Sequence, residues 1–335
     1  MNKKDLIGCF DKVTPDHSQK QKMLKIILDS KKGEMVPVKR TTKRLSLTAA
    51  VIAICILTAT TALAIDFGWH EKLIAYLNPS EEQMETLSGA VSAPNATLTK
   101  NGVTITVKQT LADSFGIYVL YEMTVPEEIE LSDDITWRFS HLDVPTGQTD
   151  EACSIGSGST KILEQTGNKR TVLLHFQETA PFENGYIELE LADLGYLTDV
   201  GTPETKFVPL VEGKWDLKWE FSYVDTSKMV EVNKPVSING SENTITKIII
   251  SPMSVCAYVK GDDILMSGVR PVVNFKDGSQ IAYDVQSKNK SFSYYLIDED
   301  NKIYANQLYY RFENIINRDD VASITIGDVT IPINE

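Results

Sequence analysis

The chain has 335 residues, with 46 acidic and 33 basic side chains and a formal net charge of −13. Its hydrophobic fraction of 42% is enough to form cores, which excludes an intrinsically disordered chain. The four cysteines are scattered and have no CxxC spacing, which argues against a disulfide scaffold and against a zinc ribbon. The overall acidity argues against direct nucleic-acid binding by the bulk of the protein.

The charge is distributed unevenly along the chain. Residues 1–44 contain 12 Lys and Arg against 5 Asp and Glu, and residues 45–65 contain no charged side chain. Residues 66–335 contain 21 basic and 41 acidic side chains. A basic head, an uncharged stretch and an acidic body therefore predict three separate compartments.

The uncharged stretch Leu45–Ile65 has the length of a membrane span. As a helix it would be about 31 Å long, close to the roughly 30 Å of a bilayer hydrocarbon core. Arg40, Lys43 and Arg44 precede it directly. Because cytoplasmic flanks carry the positive charges, we predict a single-pass protein of the cell membrane. Its N-terminus would be cytoplasmic, residues 45–65 would contact lipid, and its C-terminal region would be extracellular.

A cleaved signal peptide is the alternative interpretation of this stretch. Ala62-Leu63-Ala64 fits a small-residue cleavage site. However, the 44 residues before the apolar run far exceed the charged region of ordinary secretory signals. We therefore favour a retained anchor over cleavage after Ala64.

The head shows two short amphipathic helical patterns, and Thr14-Pro15 is a typical start for the second. Two helices in about 30 residues bury little apolar surface on their own. Their apolar stripes are therefore predicted to bind a cytoplasmic protein, while contact of the lysines with anionic lipid is the alternative. DNA binding is a weaker alternative, since no helix-turn-helix of adequate length is present. The predicted partner-binding residues are Leu6, Ile7, Phe10, Met23, Leu24, Ile27 and Leu28.

The body begins with a helical pattern over residues 66–87, interrupted by Asn78-Pro79 and restarted by Ser80 as an N-cap. We interpret it as a membrane-proximal stalk or a first packing element. Apolar and polar residues then alternate in many short runs, which is typical of β-strands. The strongest run, residues 215–223, places four aromatic side chains on one face.

These patterns predict a mainly β fold. Many short strands with few helices favour antiparallel sandwiches of the immunoglobulin-like type over a parallel sheet. A boundary near residues 225–235, within the polar stretch Asp225–Asn243, is predicted between two such extracytoplasmic domains. The predicted organisation is a helical head (1–44), a transmembrane helix (45–65), a helical stalk (66–91), a first β-sandwich (92–228) and a second β-sandwich (229–335).

No catalytic or cofactor-binding motif stands out, so we expect no enzymatic activity, no cofactor and no metal site. The run from Gly156 to Lys161 has the wrong spacing for a phosphate loop and is interpreted as a flexible hairpin loop. Asp262-Asp263 lacks the ligand spacing of a calcium loop and is interpreted as a solvated turn. Cys153 and Cys256 fall in different predicted domains, which argues against a disulfide between them.

Several stretches of the chain match a known family of membrane proteins. They are Asp5–Asp11, Thr14-Pro15, Met23–Leu28, Gly102–Val107, Asp113–Tyr121, Gly213–Trp219 and Thr246–Val255. In these stretches the chain resembles a family of Gram-positive membrane proteins with a short cytoplasmic head, one span and a β-rich outer domain. The resemblance implies an anti-sigma factor, or a partner of an extracytoplasmic-function sigma factor. The head departs from one large anti-sigma class, because Cys9 and His17 do not supply an HxxxCxxC zinc motif.

Our hypothesis is that the head holds a sigma factor at the membrane while the outer domains sense an envelope condition or an extracytoplasmic ligand. The alternative, from a different class, is a membrane-anchored surface-binding or adhesion module without a sigma partner.

Overall fold

A computed structural model describes the acidic body of the protein. The described residues are 68–147, 157–178, 180–238, 240–261, 271–282, 290–298 and 303–333. None of the helices in these ranges is long and apolar enough to cross a membrane. The predicted span 45–65 and the predicted head 1–44 lie outside them.

Two short helices open the described body. Helix α1 (Glu71–Leu77) begins at His70, whose side chain accepts a hydrogen bond from the Lys72 amide, and ends at Asn78 in the left-handed conformation. Helix α2 (Glu81–Thr86) begins at Ser80, which forms a reciprocal capping box with Gln83. The predicted break at Asn78-Pro79 and the predicted Ser80 cap are confirmed.

A first β region (residues 91–221) follows the helices. Its strands form one sheet in the order β1-β3-β4-β7-β6, with β2 also paired to β3, and a second sheet in the order β5-β8-β9. One buried apolar cluster draws its side chains from both sheets. The strands are β1 (Val91–Ser92), β2 (Thr97–Lys100), β3 (Val103–Ala112), β4 (Gly116–Thr124), β5 (Thr136–Asp143), β6 (Ser157–Thr166), β7 (Lys169–Gln177), β8 (Gly185–Thr198) and β9 (Lys206–Phe221).

A second β region (residues 228–333) has its own apolar cluster, again drawn from two sheets. The sheets have the orders β10-β11-β12-β16-β15 and β14-β13-β17-β18. The expectation of a mainly antiparallel β fold is thus confirmed. The strands are β10 (Lys228–Ile238), β11 (Ser241–Ile250), β12 (Ser254–Gly261), β13 (Val272–Phe275), β14 (Gln280–Ala282), β15 (Lys290–Asp298), β16 (Ile303–Arg311), β17 (Val321–Ile326) and β18 (Val329–Pro332).

The aromatic face predicted in β9 is buried as expected. Trp215 is fully enclosed, and Trp219 and Phe221 are also buried, whereas the intervening charged residues are exposed. The Trp215 indole nitrogen donates to the Val103 carbonyl oxygen at 3.2 Å, which ties the two sheets of the first β region together. The alternation of residues 215–221 thus predicts correctly which face of β9 is buried.

Two edge strands occupy segments that show no clear strand pattern, and the prediction of a flexible loop at residues 157–161 was wrong. Most of the polar stretch Asp225–Asn243 is the edge strand β10 and the start of β11. Its alternation is obscured by a β-bulge at residues 231–234, where Asn233 has a φ of 50°. The residues from Ser157 to Lys161, interpreted as a flexible loop, belong to edge strand β6, whose hydrogen bonds come from β7 rather than from a local sequence preference.

Candidate functional site

The turn between β3 and β4 is one half of a buried polar junction. The Asp113 carboxylate oxygen Oδ1 accepts hydrogen bonds from the Phe115 amide at 3.0 Å and from the Gly116 amide at 2.6 Å. The Asp113 amide in turn donates to the Gly116 carbonyl oxygen at 2.9 Å. An aspartate that binds the amides two and three residues ahead stabilises a tight turn, so this half is encoded locally.

The turn between β11 and β12 is the other half. The Ser251 hydroxyl oxygen accepts hydrogen bonds from the amides of Met253 and Ser254, at 3.0 and 2.9 Å. The hydroxyls of Ser251 and Ser254 both donate to Oδ2 of Asp113. One carboxylate thus joins a turn of the first β region to a turn of the second.

Asp113 has no solvent exposure at all. A buried carboxylate is costly unless its oxygens are hydrogen-bonded, and here two amides and two hydroxyls supply four donors. Burial raises the pKa of the Asp113 carboxyl, and the hydrogen bonds from Ser251 and Ser254 oppose that rise. Two of the four donors are available only while the two β regions are in contact.

Apolar contacts surround this polar pair. The Phe115 side chain lies in a buried cluster with Cys256 and Tyr309 of the second β region, and the Phe115 and Tyr309 rings meet edge-on at 6.5 Å. Gly116 leaves no room for a larger residue, because an added Cβ would lie 2.5 Å from the Tyr309 hydroxyl oxygen. The junction is therefore closely packed as well as hydrogen-bonded.

We expect Gly116→Ala to destabilise the junction by about 1–3 kcal/mol, the usual cost of overpacking a buried site. The clash is with one atom, so Tyr309→Phe, which removes that hydroxyl, should restore most of the loss in the double variant. Chemical unfolding of the four proteins of this mutant cycle measures the effect. Equal losses with and without the Tyr309 hydroxyl would contradict the proposed clash.

A second contact across the junction involves an imidazole, a phenol and a guanidinium. His175 of β7 and Tyr118 of β4 have ring centroids 4.8 Å apart. Arg311 of β16 donates to the Tyr118 hydroxyl at 3.1 Å and lies 5.8 Å from its ring centroid. Burial lowers the pKa of His175 well below its ordinary value, helped by the positive charge of Arg311. Burial raises the pKa of Tyr118 to about 12, so this hydroxyl stays neutral.

The helical segment (residues 69–87) packs against both β regions. Trp69, Leu73 and Leu77 share a buried cluster with Leu120 of the first β region and Met253 of the second. The Gln83 side-chain amide also donates to the carbonyl oxygen of Ile315 at 2.9 Å. The segment predicted as a stalk or first packing element is thus packed along the junction.

The structure does not reach the residues predicted to bind a partner. All seven, from Leu6 to Leu28, lie outside the described residues, as do Cys153 and Asp262-Asp263. Cys256 is described, and its buried thiol is a free cysteine at the junction. Nothing near Asp113 in the sequence indicates the hydroxyl donors that lie 138 and 141 positions away.

Comparisons with known proteins give one family match. Residues 39–124 match the model of a family described as Domain of unknown function (DUF4179). The matched stretch includes the predicted span, the helical segment, Asp113 and Tyr118, but not the serines or Arg311 of the second β region. No curated protein matches the sequence.

A solved structure is also similar to this chain. It is described as the crystal structure of the conserved domain protein from Bacillus anthracis and is 15% identical to this chain, with a TM-score of 0.46. The similarity covers 70% of this chain and 76% of the Bacillus anthracis chain.

Proposed function

We propose that the protein is a single-pass membrane regulator, an anti-sigma factor whose head sequesters an extracytoplasmic-function sigma factor. In this proposal, residues 45–65 span the cell membrane, the N-terminus is cytoplasmic, and the β body senses an envelope condition or ligand outside. The observation that carries it is the attachment of the chain to the β body directly after the predicted span.

That attachment begins at Gly68, three residues beyond Ile65. The side chain of Gln109, in β3, donates to the Gly68 carbonyl oxygen at 2.6 Å and accepts from the His70 amide at 2.7 Å. Trp69, between them, is 4% exposed and belongs to the cluster that contacts both β regions. Little free chain therefore separates the body from the predicted span.

Such a connection favours a signalling role. A surface module that only needs to be displayed works well on a flexible tether, whereas a regulator needs a rearrangement of its outer part to reach its span. The helical segment contacts both β regions. A change at their junction would therefore alter the packing around Trp69, which lies close to the end of the predicted span. This supports the regulator over the adhesion alternative.

Each β region is further proposed to be a β-sandwich of the immunoglobulin-like type. Each has two antiparallel sheets and one buried cluster drawn from both, which supports a two-layer packing. Folds of this kind present loops and sheet faces for binding, so the envelope signal would be received on this body.

The test of sigma-factor binding uses the tagged full-length protein, solubilised from its native membrane and analysed by mass spectrometry for co-purifying proteins. We expect enrichment of a sigma factor. Ile27→Asp should abolish it by placing an unpaired charge in the apolar contact. Lys20→Ala, on another face, should have little effect, because exposed charges contribute little at physiological salt.

Two outcomes contradict the proposal. If intact protein enriches no sigma factor, the surface-binding alternative is favoured. If Lys20→Ala weakens the association more than Ile27→Asp does, and added salt removes it, the head binds an anionic lipid surface instead.

A further inference from the structure

We propose that the junction between the two β regions is an acid-sensitive latch, in which protonation of His175 opens the contact. The inference concerns the β body alone and holds whether or not the head binds a sigma factor. It rests on the placement of an enclosed imidazole on one β region and a guanidinium on the other, with both against Tyr118.

Several ionisable groups lie around the His175 ring. From β4 comes Tyr118, and from β16 come Arg311 and the fully buried Tyr309. Asp113, in the β3–β4 turn, is also near the His175 ring. A Cβ atom added to Gly116 would lie 3.3 Å from Oδ1 of Asp113 and 3.5 Å from Nε2 of His175. On β6, Ser159 pairs with His175 across the two strands, and Lys161 lies two residues further along β6. The Lys161 ammonium group lies over the Tyr76 ring.

Among these groups, Arg311 and Lys161 are cations and Asp113 is the anion. The two tyrosines stay neutral over the physiological range, because burial raises the pKa of Tyr118 to about 12 and that of Tyr309 well above 10. The anion is already bonded to four donors in its own turn and in the serine turn. A protonated His175 would therefore add a positive charge to a buried site whose facing cation, Arg311, belongs to the opposite β region.

The direction of the pH effect follows from linkage. In the closed junction burial holds the pKa of His175 well below 6.5, and in an open, hydrated junction it returns towards 6.5. Protons therefore bind the open form more tightly, and stability present above pH 6.5 is lost as the pH falls. The opening equilibrium should rise by up to about tenfold for each pH unit below 6.5 until the closed form also binds the proton.

Asp113 acts in the opposite direction. Its pKa is raised in the closed junction, so protonation of this carboxyl favours closure as the pH falls towards its ordinary value of 3.8. The two groups must therefore be separated experimentally. Asp113→Asn removes the opposing titration, and His175→Gln removes the proposed one while keeping a polar side chain of similar size.

Cys256 supplies a natural reporter of opening. Its thiol is fully buried and packs with Phe115 of the first β region, so a reagent reaches it only when the junction opens. Burial raises the pKa of this thiol to about 12, which further suppresses its reaction in the closed form. With Cys9, Cys55 and Cys153 replaced by Ala, 4,4′-dithiodipyridine would label Cys256 in the full-length protein. Dividing the rate in the urea-unfolded chain by that in the folded protein at each pH yields a protection factor that cancels the intrinsic titration of the thiol.

We expect the protection factor of Cys256 to fall more steeply between pH 7.5 and 5.5 with His175 present than in His175→Gln. Asp113→Asn should steepen the fall, and the exposed-histidine control His141→Gln should leave it unchanged. If His175→Gln does not fold, His175→Asn serves instead, because it also removes the titrating imidazole and should make the fall equally shallow. Equal pH slopes in the parent protein and in either substitute would overturn the proposal.

Discussion

Replacement of Trp215 by alanine is expected to lower the melting temperature of the purified full-length protein by roughly 6–20 °C. A buried Trp→Ala change costs about 3–5 kcal/mol, and each kcal/mol shifts the melting temperature by about 2–4 °C in a body of this size. Trp215 is 0% exposed, and its loss would also leave the Val103 carbonyl oxygen without its indole partner. Thermal unfolding followed by far-UV circular dichroism measures the shift.

Asp216→Ala is the matched control, because its side chain points outward from the same strand and is exposed. Its ion pair with Lys214 is an exposed surface pair, which contributes little to stability. The control should therefore melt within a few degrees of the parent protein. A Trp215→Ala protein that melts like this control would mean that the aromatic face of β9 does not stabilise the body.

Asp113→Ala is expected to uncouple the two β regions. The change leaves the amides of Phe115 and Gly116 without their acceptor in a buried site, at about 1–3 kcal/mol for each. The change also breaks the contact between the regions. Among the described residues, the Asp113 carboxylate is the group of the first β region that accepts hydrogen bonds from the Ser251 and Ser254 hydroxyls. The free energy of unfolding should fall, and the cooperativity between the regions should fall with it.

The distribution of tryptophan makes this loss of coupling measurable. All four tryptophans, Trp69, Trp137, Trp215 and Trp219, precede the second β region in the chain. Tryptophan fluorescence therefore reports on the helical segment and the first β region, whereas circular dichroism reports on the whole body. In urea the two transitions should coincide for the parent protein and separate for Asp113→Ala.

Asp113→Asn is the control, because asparagine keeps the shape of the aspartate side chain but carries no charge. Its carbonyl oxygen can still accept from the two turn amides, and its amide can donate to the Ser254 hydroxyl, whereas the Ser251 hydroxyl oxygen already accepts two amides. It should keep the two transitions close together at a smaller loss of stability. Coincident transitions in Asp113→Ala would show that the carboxylate does not couple the regions.

Several features of the fold were predictable because their causes lie within a few residues. The Ser80 capping box depends on Gln83, three positions away, and the inward face of β9 follows from strict alternation over residues 215–221. Strands whose polar side chains face water gave a weaker signal. In β5, Leu142 is buried whereas most of its neighbours in the strand are exposed, so the side chains give no clear alternation. The backbone hydrogen bonds to β8 hold this segment in a strand.

The candidate site was hidden for a different reason. The side chains of Asp113 and Ser251 each have a local role in a turn, and those local roles account for both residues in the sequence. Their bond to each other depends on how the two β regions pack, as does the approach of Arg311 to Tyr118, 193 positions apart.

The partition into a basic head, an uncharged stretch and an acidic body can be inferred from the sequence, as can the β character of that body and the inward faces of its clearest strands. Composition and the alternation of apolar residues are enough to predict these properties. By contrast, the position of the helical segment along both β regions, the edge positions of β6 and β10 and the burial of Asp113 and His175 at a junction became known only from the folded structure. Burial and hydrogen bonding of such groups depend on atoms that the chain brings together from distant positions, so no local pattern encodes them.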